Sequence, residues 1–165
     1  MNKIKSLSVV AVAMLLFGCA NENLSDKIAK LEKQAFSTEA AIDPELAGQL
    51  IDAYCDFATQ NPENQQAPDY LFKAIDVSMN SDNPTRTFSI IDRLMIEYPG
   101  YEKTHMALFI KGFIYETRYN NIEQARATYE KYLELYPDGE LADGCRASIE
   151  NLGLTPDEIV KKFDK

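Results

Sequence analysis

Tryptophan is absent from this chain of 165 residues, histidine occurs once and cysteine three times, and these shortages remove whole kinds of chemistry. The lone His105 has no cysteine or carboxylate at metal-ligand spacing, so no zinc-type ligand set is readable. No cysteine is paired with a base, no glycine-rich loop is placed to cradle a phosphate, and no serine stands in a nucleophile setting. The chain therefore reads as something other than an enzyme, holding neither metal nor cofactor, with His105 opening a helix at the surface. Basic side chains are scarce too. Seventeen Lys and Arg face 26 Asp and Glu, and a net charge of -9 argues against a nucleic-acid footprint. The longest apolar run, Val9 to Phe17, falls well short of the roughly 20 residues that cross a bilayer. What is present is ordinary globular material, 45% hydrophobic and 26% charged, enough for one domain.

The apolar run has a role of a different kind. Lys3 and Lys5 precede it, and residues 1–18 read as a secretion signal, to be set aside from the fold. It ends in Leu16-Phe17-Gly18-Cys19, which resembles the lipobox of bacterial lipoproteins; a plain cleaved signal with Cys19 incidental is the competing reading. The resemblance implies cleavage before Cys19, a diacylglycerol on its sulfur and an acylated new amino group. Two or more acyl chains anchor stably where one does not, so the membrane would be met through the N-terminal lipid only. Removing the signal takes two lysines and no acid, so the charge goes from -9 to -11, and so acidic a body does not lie flat on anionic lipid. Ala20 stands where an aspartate would favour retention at the inner membrane. That indicates the outer membrane, facing the periplasm ahead of display on the surface. Cys55 and Cys145 would then share a compartment that permits disulfides. They fall in predicted helices near opposite ends of the array, and two small buried hydrophobes are expected rather than a bridge.

Residues 19–42 read as a spacer with one short amphipathic helix built on Leu24, Ile28 and Leu31, which either caps the first repeat or stands free near the membrane. Residues 43–165 form the domain. Asp43-Pro44 is a helix start with a capping acid and a proline at the first position. Leu46, Leu50, Ile51, Tyr54 and Phe57 give that helix one broad face, and it stops at Asn61-Pro62. A helix from Leu141 to Leu152 ends at Gly153 as a C-cap. Thr155, Pro156 and Glu158 open a last helix with a capping box, expected to close the end of the array.

Between these lies His105 to Asp138, which reads as two short helices folded back on each other. Shifted by 38 residues it matches Pro68 to Gly100: Lys73 meets Lys111, Asn83 meets Asn121, Tyr98 meets Tyr136 and Pro99 meets Pro137. Matches of type add Leu71 with Phe109, Ala74 with Gly112, Ile75 with Phe113, Ile91 with Tyr129 and Leu94 with Tyr132. The helix from Asp43 joins at an offset of 37, with Tyr54 over Ile91, Phe57 over Leu94 and Pro62 over Pro99. A helix pair too short to stand alone hides its apolar faces by stacking on copies of itself.

The unit resembles the tetratricopeptide repeat. Gly112 fits the small position of its first helix, Ala125 that of the second, Tyr115 and Tyr129 the aromatic places after them, and Pro137 the close. The sequence departs at Thr87, where alanine is usual, at Lys73 and Lys111, where leucine is common, and by extra residues around Asn80 to Asp82 and Arg118 to Asn120. The ending YPDGELADGCRASIENLG is similar to repeats of envelope members of this family, including outer-membrane assembly lipoproteins and coordinators of cell division. The resemblance implies an all-α solenoid of antiparallel helix pairs, a right-handed superhelix with a C-terminal capping helix, whose first helices line a concave groove. Transferred residue by residue, that groove is Leu71, Ile75, Met79, Phe109, Phe113 and Glu116, suited to an extended segment or amphipathic helix of an envelope protein; Tyr119 is a further contact. The function implied is that of a lipid-anchored adaptor. A lipoprotein binding glycan or peptide nutrients is the alternative, disfavoured by the missing tryptophan and the short chain.

Overall fold

The computed structural model describes residues 23–38, 40–79 and 83–163. The stretch expected to be a signal, the lipobox-like Cys19 and the residues at 80–82 lie outside these. Within them are eight helices and no strand: α1 (Leu24–Ala35), α2 (Pro44–Gln60), α3 (Ala67–Met79), α4 (Pro84–Glu97), α5 (Thr104–Thr117), α6 (Ile122–Leu135), α7 (Ala142–Asn151) and α8 (Pro156–Phe163).

Starts and stops follow from local chemistry. Asp43 accepts hydrogen bonds from the Glu45 and Leu46 N–H groups at 3.0 and 3.1 Å. Asn83 and Asn121 do the same for Arg86 and Gln124, at 3.2 and 3.1 Å. Such caps contribute about 1 kcal/mol each. At the other ends Asn61, Tyr98 and Tyr136 share one conformation, with φ of -134°, -132° and -135° and ψ of 55°, 58° and 62°. Each precedes a proline, whose ring disfavours helical backbone in the residue before it.

The connections after these prolines repeat bond for bond. Asn64 N–H bonds to the Asn61 carbonyl and Ala67 N–H to that of Asn64; Tyr101 to Tyr98 and Thr104 to Tyr101; Gly139 to Tyr136 and Ala142 to Gly139. Sequence spacing has become a structural repeat. The turn within the α5/α6 pair closes differently. Asn120 takes a left-handed φ of 46°, a region asparagine tolerates, and Asn121 N–H reaches back to the Tyr115 carbonyl at 2.9 Å.

From α1 to α7 each helix packs on its neighbours in sequence, and α3 also touches α5 across the intervening turn of chain. One core runs from α1 to α5 and is mainly aliphatic, with Leu50, Ile51, Leu71, Ile75, Ile91 and Leu94 at its centre; a smaller one joins α5, α6 and α7 around Leu108, Tyr129, Tyr132 and Cys145. Helix α1 is part of the first. Its Ile28 and Leu31 are buried there, contributing about 2 kcal/mol each, so the packed body extends to Leu24.

Small residues stand where helices close in. A Cβ on Gly112 would lie 2.6 Å from Cε1 of Tyr129, so α5 and α6 meet there at a distance only glycine allows. Thr87, at the place of Ala125, is fully buried and donates its hydroxyl to the Ser78 carbonyl at 3.2 Å, which satisfies the polar atom that alanine would lack. Gly153 ends the α7 turn with φ of 81°, and Thr155 and Glu158 form the expected box. Helix α8 closes less than expected. None of its side chains from Pro156 to Lys162 is buried and Val160 stays 59% exposed. The helix is tied back through Lys162, whose ammonium donates to the Glu150 carbonyl and the Asn151 side chain.

Candidate functional site

The residues assigned to a groove from the repeat pattern divide. Leu71 and Ile75 are 0% exposed and belong to the first core, so they line no open surface. The cause is position in the stack: α3 is packed on by α2 and α4, and touched by α5, and its Leu71 and Ile75 lie inside the core these helices share. Met79 is half-buried against the same core, and its carbonyl accepts from Arg118. Phe109 packs on the second core with its ring 5.5 Å from that of Tyr129, and Glu116 accepts the Tyr129 hydroxyl at 2.8 Å. Phe113 alone of the six is open, 43% exposed. Tyr119 is exposed beside Phe88 and Tyr115. His105 does start a helix, but it lies against the Tyr132 and Tyr136 rings with its Nε2 enclosed and unpartnered, not free at the surface.

The open concavity lies around the other side of α3. Two residues along a helix is about 200° around its axis, and Lys73 stands two beyond Leu71. Asp69, Lys73 and Asp76 recur at i, i+4 and i+7, so they share one face. Three clefts adjoin along it. One of about 250 Å³ includes Asp69, Tyr70, Lys73 and Asp76; one of about 520 Å³ includes Lys73, Asp76 and Val77 with Glu32 and Phe36 of the α1 side and Tyr54 of α2; one of about 600 Å³ continues from Ile42 and Val77 towards Gly48 and Arg86. Together they make a trough with α3 as its floor.

Most charges in the trough are already engaged. Lys73 donates to Glu32 at 2.8 Å and stands 5.8 and 5.3 Å from the Tyr54 and Tyr70 ring centres. Glu32 also accepts the Tyr54 hydroxyl at 2.8 Å. Partial burial works against ionising Glu32, but the bonds from Lys73 and Tyr54 and the ammonium charge outweigh it and hold its carboxyl below the usual range. Tyr54 moves the other way: burial, then the bond to Glu32 and its charge, push the phenol well above its ordinary value. Asp69 accepts the Tyr101 hydroxyl and lies 3.8 Å from the Lys103 ammonium, and Arg86 is paired with Asp52. Asp76 is the exception, with no hydrogen bond or ion pair among the described residues. Burial pushes its carboxyl up, against the pull of Lys103.

No group of three or more His, Cys, Asp or Glu among the described residues is placed to hold a metal ion. Cys55 and Cys145 are both free. Cys145 is fully buried, and burial pushes its thiol up to about 11, which suits a packing residue better than a nucleophile. The arrangement is that of a stacked helical array with a polar, aromatic-edged trough. Comparison with family models, with curated proteins and with solved structures gave no match. No described helix is long and apolar enough to cross a membrane.

Proposed function

We propose that this protein is a non-catalytic adaptor of the bacterial cell envelope, built on tetratricopeptide-type helix pairs and holding a segment of another envelope protein in the trough along α3. The observation that carries this reading is the trough itself, an open concavity formed jointly by α1, α2 and α3. The connections repeated at Pro62, Pro99 and Pro137 and the close approach at Gly112 support the repeat type. A right-handed superhelical course is the form such pairs would take. The membrane anchor rests on the lipobox-like Leu16 to Cys19, with the outer membrane as its place and the periplasm as the side faced.

The test is site-specific photocrosslinking in intact cells from Phe36 and Val77 in the trough and from Phe113 outside it. The expected result is one envelope protein captured from both trough positions and not from Phe113. Capture from Phe113 alone would move the binding surface to the far side of α5. Capture of no protein, with an oligosaccharide retained by purified material, would replace the adaptor with a ligand-binding lipoprotein. For the anchor, Cys19→Ala is expected to abolish acylation, and an acylated variant would remove the lipoprotein reading.

A further inference from the structure

The trough carries one charge that no hydrogen bond or ion pair among the described residues answers. Glu32, Lys73, Asp69, Lys103 and Arg86 are all engaged with one another or with Tyr54, Tyr101 and Asp52. Asp76 lies towards the C-terminal end of α3, lines both the 250 and the 520 Å³ clefts, and accepts no hydrogen bond among the described residues. The Asp76 side chain is exposed, so its carboxylate is open to a cation that approaches along the trough. On one side of it lie the apolar Phe36, Ile42 and Val77, and Phe36 is 59% exposed. The chain as a whole carries a net charge of -9, which favours approach of a cation.

We infer that the trough takes an extended, basic segment of a partner protein, one Lys or Arg of which pairs with Asp76 while an adjacent apolar side chain lies against Phe36, Ile42 and Val77. This rests on the adaptor reading and specifies its partner. Length sets the footprint. The 13 residues of α3 run about 20 Å, which an extended segment of about six residues spans. Alternation fits as well, since successive side chains of an extended segment point to opposite sides. The trough is apolar at Ile42 and Val77 and charged at Asp76, so an alternating apolar and basic sequence presents each group to its wall. Glu32 competes less for the cation, because the Lys73 ammonium already answers its charge.

The test is calorimetric titration of the full chain with a capped peptide of six residues alternating leucine and lysine, and with its counterpart carrying glutamate for lysine. The lysine peptide is expected to bind and the glutamate peptide to fail. Asp76→Asn is expected to weaken the lysine peptide about two- to fivefold, the upper part of the range for one exposed ion pair, and Asp76→Glu to retain most of the affinity. Asp143→Asn removes the same charge from a side chain 99% exposed and should change affinity less than about twofold. Thermal melting supplies an independent readout: Asp76→Asn should leave Tm unchanged or raise it. Equal weakening by the Asp76 and Asp143 variants would reduce the effect to diffuse attraction and overturn the proposal. A lowered Tm for Asp76→Asn would do so too, by making the carboxylate structural. If the lysine peptide does not bind, the basic-segment assignment falls by itself; a partner crosslinked from Phe36 and Val77 would still uphold the adaptor.

Discussion

The pairs α3/α4 and α5/α6 occupy equivalent places in the repeat and fill them with opposite materials. In the earlier pair Ala74 stands at the close approach and Ile91 and Leu94 fill the space; in the later one Gly112 stands there, with Tyr129 and Tyr132. The exchange conserves volume, a larger residue on one helix answered by a smaller one on the other. A Cβ on Gly139 would lie 2.7 Å from the Tyr132 hydroxyl, whereas its equivalent in the earlier unit, Tyr101, turns away to Asp69, so the two turns are filled differently. The aromatic filling also brings hydroxyls that must be satisfied. Tyr129 donates to Glu116 and Tyr132 accepts from the Leu141 N–H at 3.1 Å. Spacing is thus what the units share, while each unit solves its packing separately.

The sharpest contrast lies at Ile75 and Phe113, aligned in the repeat yet 0% and 43% exposed. Ile75→Ala is expected to cost about 2–5 kcal/mol, the range for truncating a buried aliphatic side chain. Phe113→Ala should cost less than about 1 kcal/mol, as at an open surface. Urea denaturation of both variants checks this, and equal losses would mean that the two faces of the stack are covered alike.

Volume exchange predicts a cycle. Gly112→Ala gains helix propensity of about 1 kcal/mol but forces a methyl into the Tyr129 ring, an overpacking worth about 1–3 kcal/mol; the difference is a net loss of up to about 2 kcal/mol. Adding Tyr129→Ile recreates the Ala74 and Ile91 pair and should recover at least half of that loss. A double variant no more stable than the sum of the singles would show that the two positions do not exchange volume.

How much of this could be read beforehand depends on whether the determinant is local. Helix starts at Asp43, Asn83, Asn121 and Thr155 and ends at three prolines were legible, because a cap needs only neighbours three residues away. The repeat was legible because spacing is a property of the chain. The covering of α3 was not, since it depends on which helices stack beyond it. Family register put the groove on Leu71 and Ile75, but Lys73 and Lys111, standing where leucine is common, were a sign that the open face had moved. Both lysines turn back to an earlier helix, Lys73 to Glu32 in α1 and Lys111 to Asp92 in α4. The trough also needs Phe36 and Ile42, both of which fall in the stretch read as a spacer.

The two pairs differ again at their neighbours' glycines. Gly48 in α2 has nothing within 4 Å of where its Cβ would be, in contrast to Gly112. Gly48→Ala is therefore expected to stabilise by about 0.5–1 kcal/mol, the propensity gain alone. A rise in the denaturation midpoint confirms it, and a fall would mean that the wall of the 600 Å³ cleft tolerates no methyl.

The smallest effect concerns how each end of the molecule holds its buried tyrosine. Tyr54 and Tyr129 both donate to a glutamate, but Glu32 also takes the Lys73 ammonium at 2.8 Å. The folded state holds the Glu32 carboxyl below its usual range, so the folded protein binds that proton less readily than the unfolded chain. The contribution is therefore fully present above the ordinary carboxyl value of about 4.3. It is lost as pH falls through the lower folded value. Because half of the Lys73 side chain is in solvent, the pair is worth less than about 1 kcal/mol. Melting curves from pH 6 to pH 3 should show the native chain losing its advantage over Glu32→Gln across that window. A Tm difference that stays constant with pH would mean that Glu32 acts through packing and not through its charge.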